Sequence, residues 1–382
     1  MRQSRNVNYR LSLKISMNIP DTMKAFVLTG HGDMDKLEYH EHWPVPTPAD
    51  HDVLIKVHAC GLNNTDVNTR SGWYSKAVTE ATTGAAYAEL DSQDPSWGGA
   101  PISFPRIQGA DATGTVVAVG KHADATLLGQ RVITDNWLRD WNDPLNKHST
   151  GYFGSELDGG FAEYTVLDHR NVSAVHSRLS AEELATFSCS YSTAEGMLTR
   201  IGVNEHDTVL VTGASGGVGS ALIQLAKRRG ATVVGLASVG KHERLSPLGA
   251  DALLPRHPDD LQAQLNNAIG RDTVTVVADV VGGDTFTTLV HSLDRGGRYV
   301  CSGAIAGPVV ELDLRTLYLR DLTFAGSTII SPSIIKDLVG YIEREEIKPI
   351  LAATYPLVEL HAAQQAFIDK QHVGNIVVSM NH

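Results

Sequence analysis

From residue 23 to about residue 170 the apolar positions come in short runs. They are Ala25-Phe26-Val27-Leu28, Val53-Leu54-Ile55-Lys56-Val57, Thr115-Val116-Val117-Ala118-Val119 and Gln130-Arg131-Val132-Ile133, divided by Gly and Pro. Short runs with no long helical pattern between them predict a β-rich, barrel-like domain. Pro44-Val45-Pro46-Thr47-Pro48 lacks backbone donors and disfavours helix, which predicts an extended connector. Between about residues 190 and 325 the pattern changes to near-continuous apolar strands at 208–212, 232–236, 273–278 and 297–301, alternating with helices at 219–229 and from about Lys241. That alternation predicts a parallel sheet covered on both faces. The remaining tail predicts two helices, at 334–344 and 357–370, and a strand at 375–378, with no room for a third core, so the tail is expected to return to the first domain.

The 382 residues are enough for about two domains with a cleft between them. No apolar run approaches the ~20 residues of a membrane-spanning helix. A net charge of -11 without clustered Lys and Arg argues against a nucleic-acid surface, so any anion site is local. Cys60, Cys189 and Cys301 are odd in number and widely spaced, which fits a reducing, cytoplasmic compartment better than a disulfide framework. Residues 1–22 are Arg-rich but lack a secretory pattern and read as an extension, with Met23 as the expected functional start.

The turn Gly213-Ala214-Ser215-Gly216-Gly217-Val218-Gly219 follows a buried strand and opens a helix. Small residues permit the tight turn, a bare Gly216 lets backbone amides reach a pyrophosphate, and Gly219 allows close helix-to-sheet packing. The free amides and the dipole at the helix start favour an anion. A carboxylate at the end of the second strand would bind a free ribose hydroxyl and repel a 2′-phosphate. Here that position reads Leu236-Ala237-Ser238-Val239-Gly240-Lys241-His242, with no acid. Ser238 and Lys241, with Arg256 as a further cation, are therefore expected to form a 2′-phosphate pocket for NADPH. Ordinary solvated charges would look the same at Lys241 and Arg256.

From about residue 23 to residue 380 the chain resembles the medium-chain dehydrogenase/reductase superfamily, in particular its zinc-free quinone oxidoreductase branch. The stretches that carry the likeness are Cys60-Gly61-Leu62-Asn63-Asn64-Thr65-Asp66, Arg70-Ser71-Gly72-Trp73-Tyr74, Gly109-Ala110-Asp111-Ala112-Thr113-Gly114, Asp158-Gly159-Gly160-Phe161-Ala162-Glu163-Tyr164, the glycine turn, and Val373-Gly374-Asn375-Ile376-Val377. The resemblance implies a GroES-like β-rich catalytic domain at 23–189 and 326–382 and a Rossmann domain, a doubly wound α/β parallel sheet, at 190–325. It also implies a homodimer joined near Thr323-Phe324-Ala325-Gly326. Zinc-dependent members take metal ligands at the positions that here hold Asn63, Ala110 and Cys189, a set that cannot bind Zn²⁺, so no metal is expected. An improvised site of His58, Asp111 and Cys189 is the remaining metal option. Without a Lewis acid, reduction of a conjugated acceptor is easier to support than alcohol oxidation.

The resemblance places Thr193, Val281, Gly303 and Ala304 near the nicotinamide. It makes Asn63 and Tyr74 the expected donors to the acceptor oxygen and Thr65 a proton conduit. A loop Asn, a capping Thr and a half-buried Tyr are the structural alternatives. The expected activity is NADPH-dependent reduction of a quinone, enone or other conjugated carbonyl. An enoyl-thioester reductase, a metal-dependent alcohol dehydrogenase and a non-catalytic NADPH-binding protein are the alternatives. The long connection at 75–105, with Tyr87, Trp97 and Phe104, and the stretch containing Trp137 and Trp141 are expected to narrow the acceptor pocket.

Overall fold

The computed structural model describes residues 19–87 and 101–380; the Arg-rich leader and Trp97 lie outside the described residues. β1 (Thr22–Leu28) and β2 (Leu37–Pro44) form an antiparallel pair. β3 (Asp52–Gly61) leads into α1 (Asn64–Ser71), followed by β4 (Asp111–Val119) and β5 (Arg131–Thr134). β6 (Trp137–Arg139) pairs with β7 (Thr150–Tyr152), and β8 (Tyr164–Asp168), β9 (Val172–Ala174) and α2 (Ala181–Leu184) complete this part of the chain.

The chain then alternates. α3 (Ser188–Ile201) precedes β10 (Thr208–Val211), α4 (Gly217–Arg228), β11 (Thr232–Ala237), α5 (His242–Leu245) and β12 (Ala252–Pro255). α6 (Leu261–Ile269), β13 (Val274–Asp279), α7 (Phe286–His291), β14 (Leu293–Cys301), α8 (Leu314–Leu319) and β15 (Thr323–Gly326) follow. Among the described residues these six strands make one parallel sheet in the order β12-β11-β10-β13-β14-β15. Strand order reverses between β10 and β13, and in open α/β sheets ligands bind at such a point, outside the carboxyl ends of the strands. Every residue of β10 is buried, because helices cover both of its faces.

α9 (Ser333–Glu343), β16 (Leu351–Pro356), α10 (Leu360–Ile368) and β17 (Asn375–Ser379) form the tail. β17 pairs antiparallel with β3 and parallel with β16, so this strand pair extends the first domain's sheet. α9 goes elsewhere: Ile334, Ile335, Leu338 and Ile342 share a core with Ala194, Met197 and Leu198 of α3. The tail therefore serves both halves. Burying such side chains contributes about 1.5–3 kcal/mol each, which ties the halves together.

Residues 75–87 are held from two sides. Arg70, fully buried, donates to Gly32 O (2.8 Å), Gly84 O (2.9 Å) and Gln364 Oε1 (3.2 Å). The amide of Thr82 donates to Ile305 O (3.0 Å), which links this segment to the loop after β14.

Candidate active site

The glycine turn lies at the carboxyl end of β10, where Ala214 N donates to Leu236 O (3.1 Å) and Gly216 N to Gly213 O (2.9 Å). Gly213 has φ of +56°, a conformation other residues adopt only with strain. A Cβ on Gly219 would stand 2.2 Å from Gly213 O, so the close approach of α4 to the turn requires glycine there. A Cβ on Gly216 would meet only Gly213 O, at 3.5 Å; this side of the turn is open space. Among the described residues no side chain caps the start of α4, and Ser215, Gly216, Gly217 and Val218 are partly exposed. Uncapped amides facing an open cradle fit a phosphate.

Beside the turn is a cavity of about 160 Å³, lined by Thr212, Leu236, Arg256, Leu261, Val281 and Leu289 among others. Ser238 is exposed at the end of β11, and Lys241 follows on a short 3₁₀ turn. Lys241 Nζ donates to the carbonyls of Lys370 (2.6 Å) and His372 (2.9 Å), which leaves one N–H of the ammonium for another partner. Lys370, absent from the expected set, donates to Asn64 Oδ1 (2.8 Å), with its Nζ 3.6 Å from the centre of the Phe367 ring. Burial, with Lys241 beside it, lowers the Lys370 pKa to about 7. Burial, then Lys370 and Lys241, lower that of His372 to about 4. Arg244 and Arg256 add positive charge, and no acid among the described residues contributes to the shifts of the two lysines.

The other side of the cleft is built around Asn63. Its main-chain N–H donates to Asp66 Oδ2 (2.8 Å), the reciprocal contact of a capping box that starts α1. Its side-chain Nδ2 donates to Asp111 Oδ2 (3.0 Å). Thr65 is buried on the first turn of α1, and Tyr74 is half-buried with its ring edge-on to Trp73, centroids 5.7 Å apart. Asp111 Oδ1 accepts from Cys189 N (2.6 Å) and Asn136 Nδ2 (3.3 Å), and Tyr152 OH donates to Cys189 Sγ (3.3 Å). Burial, with Asp111 beside it, holds the Cys189 thiol above its ordinary pKa; Thr193 is its neighbour on α3. One residue on, Ser190 accepts from Asn375 Nδ2 (2.9 Å) directly under Gly217, and Gly374 N donates to Ser215 O (2.9 Å). These contacts bring the phosphate cradle and Asn63 to one junction. Gly303 and Ala304 belong to the loop after β14, which bonds the loop carrying Val281 through Ala306 N to Val281 O (2.8 Å).

Two family models match, an alcohol dehydrogenase GroES-like domain over residues 49–177 and a zinc-binding dehydrogenase over 217–344. A solved structure from Sinorhizobium meliloti that carries a provisional alcohol dehydrogenase name is 44% identical, with a TM-score of 0.86 over 95% of this chain and 98% of that one. The chain belongs to the medium-chain dehydrogenase/reductase superfamily. Acryloyl-coenzyme A reductase of Metallosphaera sedula is 27% identical over 94% of this chain and 100% of its own length. Human quinone oxidoreductase is 25% identical over 91% of this chain and 94% of its own. This superfamily member is thus an oxidoreductase with a GroES-like and a Rossmann domain, and the open glycine cradle fits its nicotinamide dinucleotide. No helix among the described residues is long and apolar enough to cross a membrane.

The donor set does not fit the zinc of the second family model. Ala110 has no ligand atom, both oxygens of Asp111 already accept N–H groups, and the Asn63 amide is turned to that carboxylate. His58 bonds Thr115 Oγ1 (3.1 Å) and does not join Asp111 and Cys189. Among the described residues no group of three or more His, Cys, Asp or Glu converges as a metal cage.

The aromatics expected to narrow the pocket each have a packing or hydrogen-bond partner. Trp137 is buried against Tyr152, Trp141 Nε1 donates to Asn171 Oδ1 (3.2 Å), Tyr87 OH donates to Ala81 O (2.9 Å), and Phe104 packs edge-on to His31. These contacts anchor loops. Besides Lys370, the sequence reading missed Asn136 and Tyr152; an isolated Asn and Tyr carry no motif.

Proposed function

We propose that the protein reduces a conjugated carbonyl acceptor, a quinone or enone, with NADPH and without zinc. The observation that carries the choice of cofactor is the cluster of half-buried Lys241 and Lys370 beside the glycine turn, held by carbonyl and amide oxygens rather than by a carboxylate among the described residues. Burying like charges together is unfavourable until an anion joins them, and a 2′-phosphate is a dianion. Ser215 to Gly219 would hold the pyrophosphate, with Ala214 as the buried start of the turn. Ser238, Lys241, Lys370 and Arg256 would hold the 2′-phosphate, the cavity lined by Leu236 and Val281 the adenosine, and Thr193, Gly303 and Ala304 the nicotinamide. Bound NADPH supplies a hydride.

The protein's own part is to orient the acceptor and steady its oxygen as negative charge develops there. Asn63, with one N–H on Asp111, keeps a second for that oxygen; Tyr74 is the other donor and Thr65 the proton conduit. The two curated relatives named above support the acceptor class, since acryloyl-CoA and quinones are both conjugated carbonyls. Acryloyl-coenzyme A reductase, matched along its whole length, supports a thioester enone as the second reading. We also propose a homodimer, joined along β15.

Purified protein should oxidise NADPH steadily with a panel of quinones, enones and short enoyl thioesters, faster than it oxidises NADH, and should contain no stoichiometric zinc. Cofactor binding without turnover on any of these acceptors, or one zinc per chain, overturns the reading.

A further inference from the structure

We propose that Asp111 is a positioning residue for the reaction: it fixes the Asn63 amide so that the remaining N–H is pointed in advance at the acceptor oxygen. The inference rests on the reading above, in which Asn63 donates to that oxygen.

Asp111 is fully buried at the start of β4 and forms no salt bridge among the described residues. A carboxyl group in that setting is tolerated only if hydrogen-bonded. It accepts from Asn63 Nδ2 on one oxygen and from Asn136 Nδ2 and Cys189 N on the other. Each donor comes from a different part of the cleft floor: the loop before α1, the loop before β6 and the first turn of α3.

The consequence for Asn63 is directional. An amide can normally flip, exchanging its donor and acceptor ends. Here a flip would put Oδ1 against Asp111 Oδ2, two acceptors at about 3.0 Å. The capping box holds the residue from the other end through Asp66. With one Nδ2 hydrogen spent on Asp111 and the plane of the amide set, the direction of the second hydrogen follows. A donor fixed before charge develops does not have to reorient during the reaction. Asn136 is held in the same way, its Nδ2 shared between Asp111 and Tyr152 OH (3.3 Å) and its Oδ1 accepting from Thr134 Oγ1 (3.3 Å). Asp111 thereby organises, through hydrogen bonds, the place where zinc-dependent members of the superfamily use a metal.

A purely structural Asp111 would anchor α3 to β4 and do nothing more, so the test needs readouts that anchoring does not move. With full-length protein, NADPH and a quinone that the wild type reduces, Asp111→Asn should lower kcat by about 10- to 100-fold, the scale of a misplaced catalytic group. KM and the Kd for NADPH should change by less than about threefold, because the phosphate cradle is untouched. In an Asn63→Ala background the same substitution should cost almost nothing further, because the donor it orients is gone. Asp111→Glu, which keeps the carboxylate but displaces its oxygens, should reproduce the kcat loss with a lowered Tm, since a buried methylene is added, and it decides the matter if Asp111→Asn does not fold. An unchanged kcat in a folded Asp111 variant, or losses that multiply in the double variant, overturns this inference and leaves the function standing. A wild type that reduces no conjugated acceptor overturns both.

Discussion

Lys370 sits in an environment that its bare sequence context does not announce. Burial and Lys241 lower its pKa from 10.5 to about 7, while an unfolded chain would keep the proton up to the ordinary value. Between those two pH values the unfolded state binds more protons, so stability rises with pH across the window and is lost as pH falls through about 7. Replacing Lys370 by Met should flatten that dependence, measured as chemical denaturation of the apo protein from pH 6 to 9. A bound 2′-phosphate would restore the charge on Lys370. NADPH binding at pH 8 should therefore take up protons, seen by calorimetry in buffers of different ionisation heat, and NADH binding should not. The Lys370→Met variant should bind NADPH about 10- to 100-fold more weakly, the value of one charge-assisted hydrogen bond, with NADH affinity nearly unchanged. Equal losses for both cofactors would remove Lys370 from the phosphate site. The glycine turn was legible in the sequence because its residues are consecutive and its chemistry is that of the backbone. Lys370 was not: it lies 129 positions from Lys241, and only the return of the tail brings the two together.

At the scale of elements, the strand–turn–helix unit around α4 separates packing from binding. Gly219→Ala would push a methyl group into Gly213 O and Ala214 Cα, both backbone atoms, at 2.2 and 2.7 Å. The helix must move, with a cost of about 1–3 kcal/mol and a lower Tm. Gly216→Ala meets nothing closer than 3.5 Å and should leave Tm within about 1 °C of wild type. Its methyl group would occupy the open side of the cradle, so nicotinamide nucleotide affinity should fall at least tenfold, measured by fluorescence titration. Unaltered affinity in Gly216→Ala would mean that the pyrophosphate does not lie there. Strands β10, β11 and β13 could be read in advance because both of their faces are buried, leaving continuous apolar runs. α1 could not. Its residues, from Asn64 to Ser71, are almost all polar and carry no helical stripe, yet seven of the eight are buried. They are satisfied by partners far along the chain, such as Thr82 for Asn68 and Gln364 for Arg70. Binary patterning cannot show a helix whose buried positions are, apart from Val67, polar.

For the whole molecule, the surface after β14 is the place where an isolated chain is least complete. β15 ends the parallel sheet and presents its outer backbone groups to no strand among the described residues. Next to it Val309, Leu314, Tyr318 and Leu319 are all more than half exposed, an apolar group in a chain whose net charge otherwise favours separation. An open edge beside an apolar patch is a hazard for aggregation unless something covers it. A second copy related by a two-fold axis would cover both at once, since the same edge and patch meet their own counterparts, and pairing two β15 strands would continue the sheet across the interface. The protein should therefore sediment at micromolar concentration with twice the 41.1 kDa mass of the chain. Leu319→Asp would place a charge on this face at a side chain more than half exposed. It should shift the equilibrium toward monomer while leaving the far-ultraviolet spectrum and NADPH affinity intact. A wild type that sediments as a monomer, or a Leu319→Asp variant that remains dimeric, would leave this face open and place any self-association elsewhere.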